Sequence, residues 1–202
     1  MLPDNILFNS TAIVSSVLAP DNNIRRHNKE DFEIGPASLT DLSKGLMFKP
    51  WRVWTDGLSA FLAPVDNQSN PSLLFSDANI RELSFAFDQL ARPQVVYISN
   101  TTCKFWFFDS TISAQNTVVI PGATSPLLTL DDKRVKSAST SDVLLFYIKA
   151  GTLCYRQQRE RYEIERNLMT LPSNVKRLVS AGMGTSNPVS YTHLTLPTKR
   201  IV

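Results

Sequence analysis

Apolar residues in this chain fall in short runs between turn residues, and two of the runs are continuous rather than alternating. Val95-Val96-Tyr97-Ile98 and Leu144-Leu145-Phe146-Tyr147-Ile148 contain no charged or amide side chain. A strand with one wet face alternates apolar and polar positions, whereas a strand covered on both faces need not. The pattern predicts strands shielded on both sides. Each run also opens the same local sequence. Ile98 leads through three residues to Thr102 and Cys103-Lys104-Phe105-Trp106-Phe107-Phe108; Ile148 leads through three to Thr152 and Leu153-Cys154-Tyr155-Arg156. A second echo joins Asn79-Ile80-Arg81-Glu82-Leu83 to Asn174-Val175-Lys176-Arg177-Leu178, with Ala86 and Ala181 placed alike after each Leu.

Self-similarity at a period of about 40 to 50 residues marks a repeat architecture, and strand-turn-strand units of that size match propeller blades. A two-sheet sandwich predicts cleaner alternation. The expected fold is all-β: a propeller-like array of about three four-stranded antiparallel blades, preceded by an N-terminal arm over 1–44.

The first blade is expected to use Trp51–Trp54, Leu58–Leu62, Ser72–Phe75 and Glu82–Phe87, with Asp56-Gly57 as a hairpin turn that tolerates positive φ. The second uses Gln94–Ile98, Thr102–Phe108, Thr117–Ile120 and Leu127–Leu130. The third uses Val143–Ile148, Thr152–Gln158, a strand around Tyr162–Ile164, and Val175–Ser180. Asn100-Thr101 and Ala150-Gly151 occupy equivalent turns, and Pro64, Pro71, Pro93, Pro121, Pro126 and Pro172 are placed between strands. Within the arm, Phe32–Ile34 reads as a short strand and Ser38–Lys44 as one helical turn. Three blades fall short of the roughly four to eight that close a propeller. Open strand edges must then be covered or paired, which points to assembly.

Residues 188–202 change the count of what is native. Pro188 to Thr198 matches, codon by codon, the translation of a transposase adapter used in sequencing, so the β-repeat region is expected to span 45–187. Without that tail Lys+Arg falls from 21 to 19 against 18 acidic residues, and the formal charge from +3 to about +1. No basic stripe remains to argue for nucleic acid. No apolar run approaches the ~20 residues that span a bilayer. Ala12–Leu18 is apolar, but Asp4 precedes it and neither a basic leader nor a small-residue cleavage site accompanies it, so export is not expected.

Candidate chemistry is sparse. His27 stands alone in a polar loop, and no His, Cys or carboxylate cluster has metal-ligand spacing, so neither metal nor cofactor is expected. Asp131-Asp132 matches the place of Asp88 after an apolar strand and reads as turn chemistry. Gly182-Met183-Gly184 lacks the Lys-Ser/Thr of a phosphate loop. Cys103 and Cys154 are one position out of phase on equivalent strands, hence on opposite faces, and read as buried free thiols. No enzymatic activity is expected.

Two features remain as interaction candidates. Residues 155–166 pack mixed charge around Tyr155, Arg156, Gln158, Arg159, Arg161 and Tyr162, either as a solvated edge that deters pairing or as a subunit contact. Trp51, Trp54 and Trp106 either fill core or stack on sugar rings; two of the three are expected inside.

The run Leu153-Cys154-Tyr155-Arg156-Gln157-Gln158-Arg159-Glu160-Arg161-Tyr162 resembles a motif of tailed-bacteriophage structural proteins, roughly LxYRxQRDRY, which continues into Lys-x-Gly-Met-Asn. Here Lys176 and Gly182-Met183-Gly184 follow, with Gly184 in place of the Asn; Leu2–Leu7 and the Trp51–Trp54 hairpin also fit that group. The resemblance implies a virion component of the tail or the neck and tail-tube region, made in the host cytoplasm and built on a propeller-like domain. It brings no active site. Expected partners are copies of itself or other tail proteins, without membrane or specific nucleic acid; the alternative is a glycan-binding propeller for host adhesion.

Overall fold

The computed structural model describes residues 29–36, 48–88, 90–130, 142–173 and 177–178. Among these residues, twelve strands form three four-stranded sheets, each an antiparallel meander in chain order. The first sheet holds β1 (Glu30–Pro36), β2 (Phe48–Thr55), β3 (Ser59–Pro64) and β4 (Ser72–Ser76). The second holds β5 (Ile80–Phe87), β6 (Pro93–Ser99), β7 (Thr102–Asp109) and β8 (Ala114–Ile120). The third holds β9 (Ala123–Leu130), β10 (Val143–Lys149), β11 (Thr152–Gln157) and β12 (Arg166–Thr170). The fold is all-β and propeller-like. The first strand of each sheet lies inside, with β5 against both β1 and β9.

The two continuous apolar runs are buried on both faces because alternate residues enter different cores. On β6, Val95 and Tyr97 pack toward the first sheet with Trp51, Val53, Leu62, Phe85 and Phe87. Val96 and Ile98 pack toward the third with Phe105, Val143, Leu145 and Tyr147. On β10, Leu144, Phe146 and Ile148 fill a further cluster on the outer face of the third sheet. Each such side chain contributes roughly 1.5–3 kcal/mol by leaving water. Among the described residues the first sheet has one face without a cover, and its strands alternate accordingly: Trp51, Val53 and Thr55 are buried, Arg52 and Trp54 half-buried. At the corner of that core Gly35 is required by close approach. A Cβ there would lie 2.2 Å from Phe87 Cε2 and 2.8 Å from Trp51 Cδ1.

The hairpins fall where the sequence puts them, but every sheet begins one strand earlier. Glu82–Phe87 belongs to β5 of the second sheet rather than closing the first, and Leu127–Leu130 belongs to β9 of the third. The arm supplies β1, which contains the Phe32–Ile34 strand. The cause is linker length. The steps between sheets are the short connections, 77–79 and 121–122, while the β1–β2 and β9–β10 hairpins within sheets close through 37–47 and 131–142. Short links ordinarily mark hairpins, which shifts the reading by one strand.

Two local expectations are also corrected. Tyr162–Ile164 is not a strand: Gln158–Glu160 makes a 3-10 turn, Arg161 and Tyr162 follow in left-handed conformation, and the fourth strand is β12. Pro126 lies inside β9 rather than between strands, and Pro64 and Pro93 are likewise within strands, as the last residue of β3 and the first of β6, where a missing N–H costs little. Pro126 sits where the register with β10 shifts, next to Ser125 at φ 50°, a bulge where no ladder N–H is needed. The expectation for Cys103 and Cys154 holds: they occupy opposite faces of equivalent strands, and stacking turns those faces toward one another. Both lie in the core between the second and third sheets, as free thiols. The Ser38–Lys44 turn, Asp131-Asp132, His27, the glycines at 182 and 184 and most of Val175–Ser180 lie outside the described residues.

Candidate interaction surface

The charged segment after β11 is first of all an internal fastening. Tyr155 is fully buried, its ring stacked at 5.9 Å on Phe146. Arg156 reaches back over the third sheet, with Nε donating to Tyr147 Oη at 2.9 Å and Nη1 to Tyr162 O at 2.9 Å. Its Nη2 donates to Glu165 Oε2 at 3.3 Å. Tyr147 donates to the same oxygen at 2.6 Å, and Lys149 Nζ to Oε1 at 2.9 Å. Burial works to raise the Glu165 carboxyl, but the hydrogen bonds from Tyr147, Lys149 and Arg156 prevail and hold it down at about 2. A carboxylate so held has no proton to give near neutrality; it ties the loop to the sheet.

Tyr162 is the anchor of that loop. The paired left-handed residues Arg161 and Tyr162 turn its ring into the core, edge-on to Phe105 at 4.6 Å and Phe107 at 5.3 Å. Its hydroxyl donates to Gln94 Oε1 on β6. Gln158 bridges the same two sheets: its Oε1 accepts Val143 N–H at 3.2 Å and its Nε2 donates to Asp88 Oδ2 at 3.4 Å. Asp88 is the turn residue the sequence suggests, accepting the Leu90 and Arg92 N–H groups at 2.9 Å each and pairing with the Arg92 guanidinium. Arg159 pairs with Asp142. What 155–166 offers to solvent is therefore narrower than its composition suggests: Arg159, Arg161, Glu163 and Ile164 are exposed, while Tyr155, Gln157 and Tyr162 are buried.

A repeated tyrosine device escaped the sequence reading. Tyr97 and Tyr147 stand at the same place in the two echoed strands, each facing the preceding sheet. Each donates to a carboxylate that a cation neutralises. Tyr97 reaches Asp77 Oδ2 at 3.0 Å beside Lys104 Nζ at 2.6 Å, as Tyr147 reaches Glu165 beside Lys149 and Arg156. The signal available was the identical Tyr in both echoes; the carboxylates come from connectors that are not equivalent in sequence.

Of the three tryptophans, Trp51 and Trp106 are core, packed with Phe87 at 5.7 Å and Phe75 at 5.4 Å. Trp54 is half-buried on the outer face of the first sheet. There Glu30, Trp54, Phe61 and Leu73 form one cross-strand row, flanked by Phe32 and Arg52. Trp54 stacks on Phe61 at 5.8 Å and carries the Arg52 guanidinium 5.0 Å above its ring. Phe32 is 52% and Leu73 59% exposed, so this face is an apolar surface without a cover among the described residues.

The outer edges complete the surface. Among the described residues, strands β4, β8 and β12 are each hydrogen-bonded on one side only. Ser72-Leu73-Leu74-Phe75-Ser76 and Ala114-Gln115-Asn116-Thr117-Val118-Val119-Ile120 contain no charged residue. Edges of stable monomers are usually blunted by Lys, Pro or other charge. Among the described residues no group of three His, Cys, Asp or Glu could hold a metal ion, and no helix is long and apolar enough to cross a membrane. Burial pushes the Cys103 thiol up to about 12, which keeps it protonated and unreactive. Comparison with protein-family models, with curated proteins and with solved structures returns no match.

Proposed function

We propose that this chain is a non-enzymatic structural protein of a tailed-bacteriophage virion, which self-associates or docks on other tail or neck proteins. The observation that carries the reading is the pair of uncharged open edges, β4 and β8, beside the exposed Phe32–Leu73 face. A row of unpaired backbone groups next to apolar side chains favours the addition of a further strand. The resemblance of residues 153–162 to a virion motif supplies the context. The polar clusters agree with such a role, because their hydrogen bonds are spent within the fold on joining sheets. Arg159, Arg161 and Glu163 then form a charged rim near the β11–β12 loop, suited to orientation more than to affinity.

The test is association and location together. Residues 1–187 purified at micromolar concentration should enter oligomers or bind a tail protein in size-exclusion and light-scattering measurements, and mass spectrometry of purified virions should find the chain. A strictly monomeric protein missing from virions would refute the proposal.

A second reading, glycan binding in host adhesion, has one specific support: Trp54 is reachable, with Arg52, Glu30 and Gln68 around it. Trp54→Ala would then abolish retention on a glycan array while leaving association unchanged. No retention of the parent chain would dismiss it.

A further inference from the structure

The three outer strands are not equivalent. β4 and β12 run for five residues each, and both are bulged: the register slips at Leu74 on one and at Leu168 on the other. β12 also carries Arg166, paired with Glu160. Bulges and charge are the devices that keep an edge from pairing. β8 has neither. It runs for seven residues in unbroken register with β7, from Cys103↔Ile120 to Asp109↔Ala114. Which groups it leaves open follows from the neighbouring hairpin. Ser99 and Thr102 flank the two-residue turn between β6 and β7, so they form a hydrogen-bonded pair. Alternation then turns the backbone of Thr102, Lys104 and Trp106 toward β6, and that of Cys103, Phe105 and Phe107 toward Ile120, Val118 and Asn116 on β8. The same alternation leaves Phe85 N–H facing away from β6, where Asp31 accepts it. On β8 the N–H and C=O groups of Gln115, Thr117 and Val119 therefore point out of the sheet edge. Their side chains are exposed as well, Val119 to 53%.

We propose that β8 pairs antiparallel with β8 of a second copy of this chain, about a two-fold axis through Thr117. The proposal rests on the self-association half of the reading above and names its partner, edge and register. With Thr117 on the axis, Gln115 meets Val119 of the second copy, Thr117 meets Thr117, and Val119 meets Gln115. Each of these residues then exchanges both of its backbone hydrogen bonds. A slip of two residues one way sets Gln115 against Pro121, which has no N–H. A slip the other way sets Val119 against Ser113, whose φ of 51° takes it out of extended backbone. Either slip forfeits pairing, so the strand selects its own register. Faces stay matched in that register: Val118 and Ile120, which pack toward the third sheet, meet Asn116 and Ala114, and the strand has no charge to repel its copy. Two threonines on the axis are a favourable cross-strand pair. The contact uses the same strand on both sides, so it closes at two copies, and two four-stranded sheets become one continuous sheet.

The test uses the full chain in sedimentation velocity at micromolar concentration. The parent should run as monomer and dimer. Thr117→Pro should weaken the dimer about tenfold or more, because it deletes an N–H that only the second copy uses. The variant should keep a cooperative thermal transition, since that N–H takes no part in the β7 ladder. A second variant stands if Thr117→Pro is too unstable to read. In Thr117→Cys, mild oxidation should link two copies through that position, while Leu73→Cys on β4 stays unlinked. A strictly monomeric parent, a Thr117→Pro dimer as tight as the parent's, or linkage through Leu73→Cys with none through Thr117→Cys would overturn the proposal. A monomer that still binds a tail protein would leave the virion reading standing without it. A dimer through β8 in a chain missing from virions would uphold this proposal and count against that reading alone.

Discussion

Ser84 gives its hydroxyl proton to Asp31 Oδ2 at 2.8 Å, from the first strand of the second sheet to the first strand of the first. The same hydroxyl oxygen accepts Leu128 N–H at 3.2 Å from the first strand of the third, and Asp31 Oδ2 also accepts Phe85 N–H at 2.9 Å. An inner strand has one unpaired edge, whose N–H groups need acceptors once water is excluded. Here Asp31 on β1 serves β5, and Ser84 on β5 serves β9. One chain of hydrogen bonds thus threads β1, β5 and β9.

Ser84→Ala removes the acceptor for the Leu128 N–H and one donor to Asp31. Leaving a buried amide unsatisfied costs about 1–3 kcal/mol. Urea unfolding should show a loss of that order with an unchanged m-value. A loss within error of zero would mean that the three sheets are held by apolar packing alone.

Asp31 gives a pH signature. Burial pushes its carboxyl up, and the hydrogen bonds from Phe85, Ser84 and Phe32 only partly restrain it. A carboxyl raised on folding stabilises the fold fully below its unfolded value of 3.8, and that contribution is lost as pH rises through the folded value. Asp31→Asn keeps an acceptor for Phe85 and stays neutral, so its stability relative to the parent should improve from about pH 4 to pH 7. Asp31→Ala should lose about 1–3 kcal/mol at both. An Asn variant weaker at pH 7 than at pH 4 would show that the fold needs the charge rather than the acceptor.

Glu165 has the opposite sign. Its carboxyl is lowered from 4.5 to about 2, so the stability it contributes is present above 4.5 and is lost as pH falls toward 2. Glu165→Gln should remove about 2 kcal/mol at neutral pH, allowing for partial exposure, and flatten the thermal midpoint between those pH values. Parallel pH curves for parent and variant would count against the Tyr147–Lys149–Arg156 clasp.

The edges can be tested singly. Leu73→Lys on β4 and Val119→Lys on β8 place a charge on strands that have none, at side chains already exposed. Each should leave the monomer's unfolding midpoint nearly unchanged, since exposed substitutions cost roughly 0.5 kcal/mol or less. The variant on the edge in use should shift association, read by sedimentation velocity, by tenfold or more, a change of about 1.4 kcal/mol. If neither variant changes association, the contact lies elsewhere, with the charged rim of Arg159, Arg161 and Glu163 the remaining candidate.

The sequence by itself determined the class of fold, because burial on both faces writes itself into β6 and β10 as unbroken apolar runs. It also located the hairpins through Asp56-Gly57, Asn100-Thr101 and Ala150-Gly151, whose positive-φ residues leave a local mark. Which strand begins each sheet was decided only in three dimensions. The links at 77–79 and 121–122 are as short as turns, and nothing local says that they step from one sheet to the next. The same holds for 155–166, where charge predicts a surface and the fold turns Tyr162 inward and closes Arg156 over Tyr147. Periodicity reports how many faces of a strand are dry. Only packing decides which neighbour dries them, because that choice rests on contacts between residues far apart in the chain.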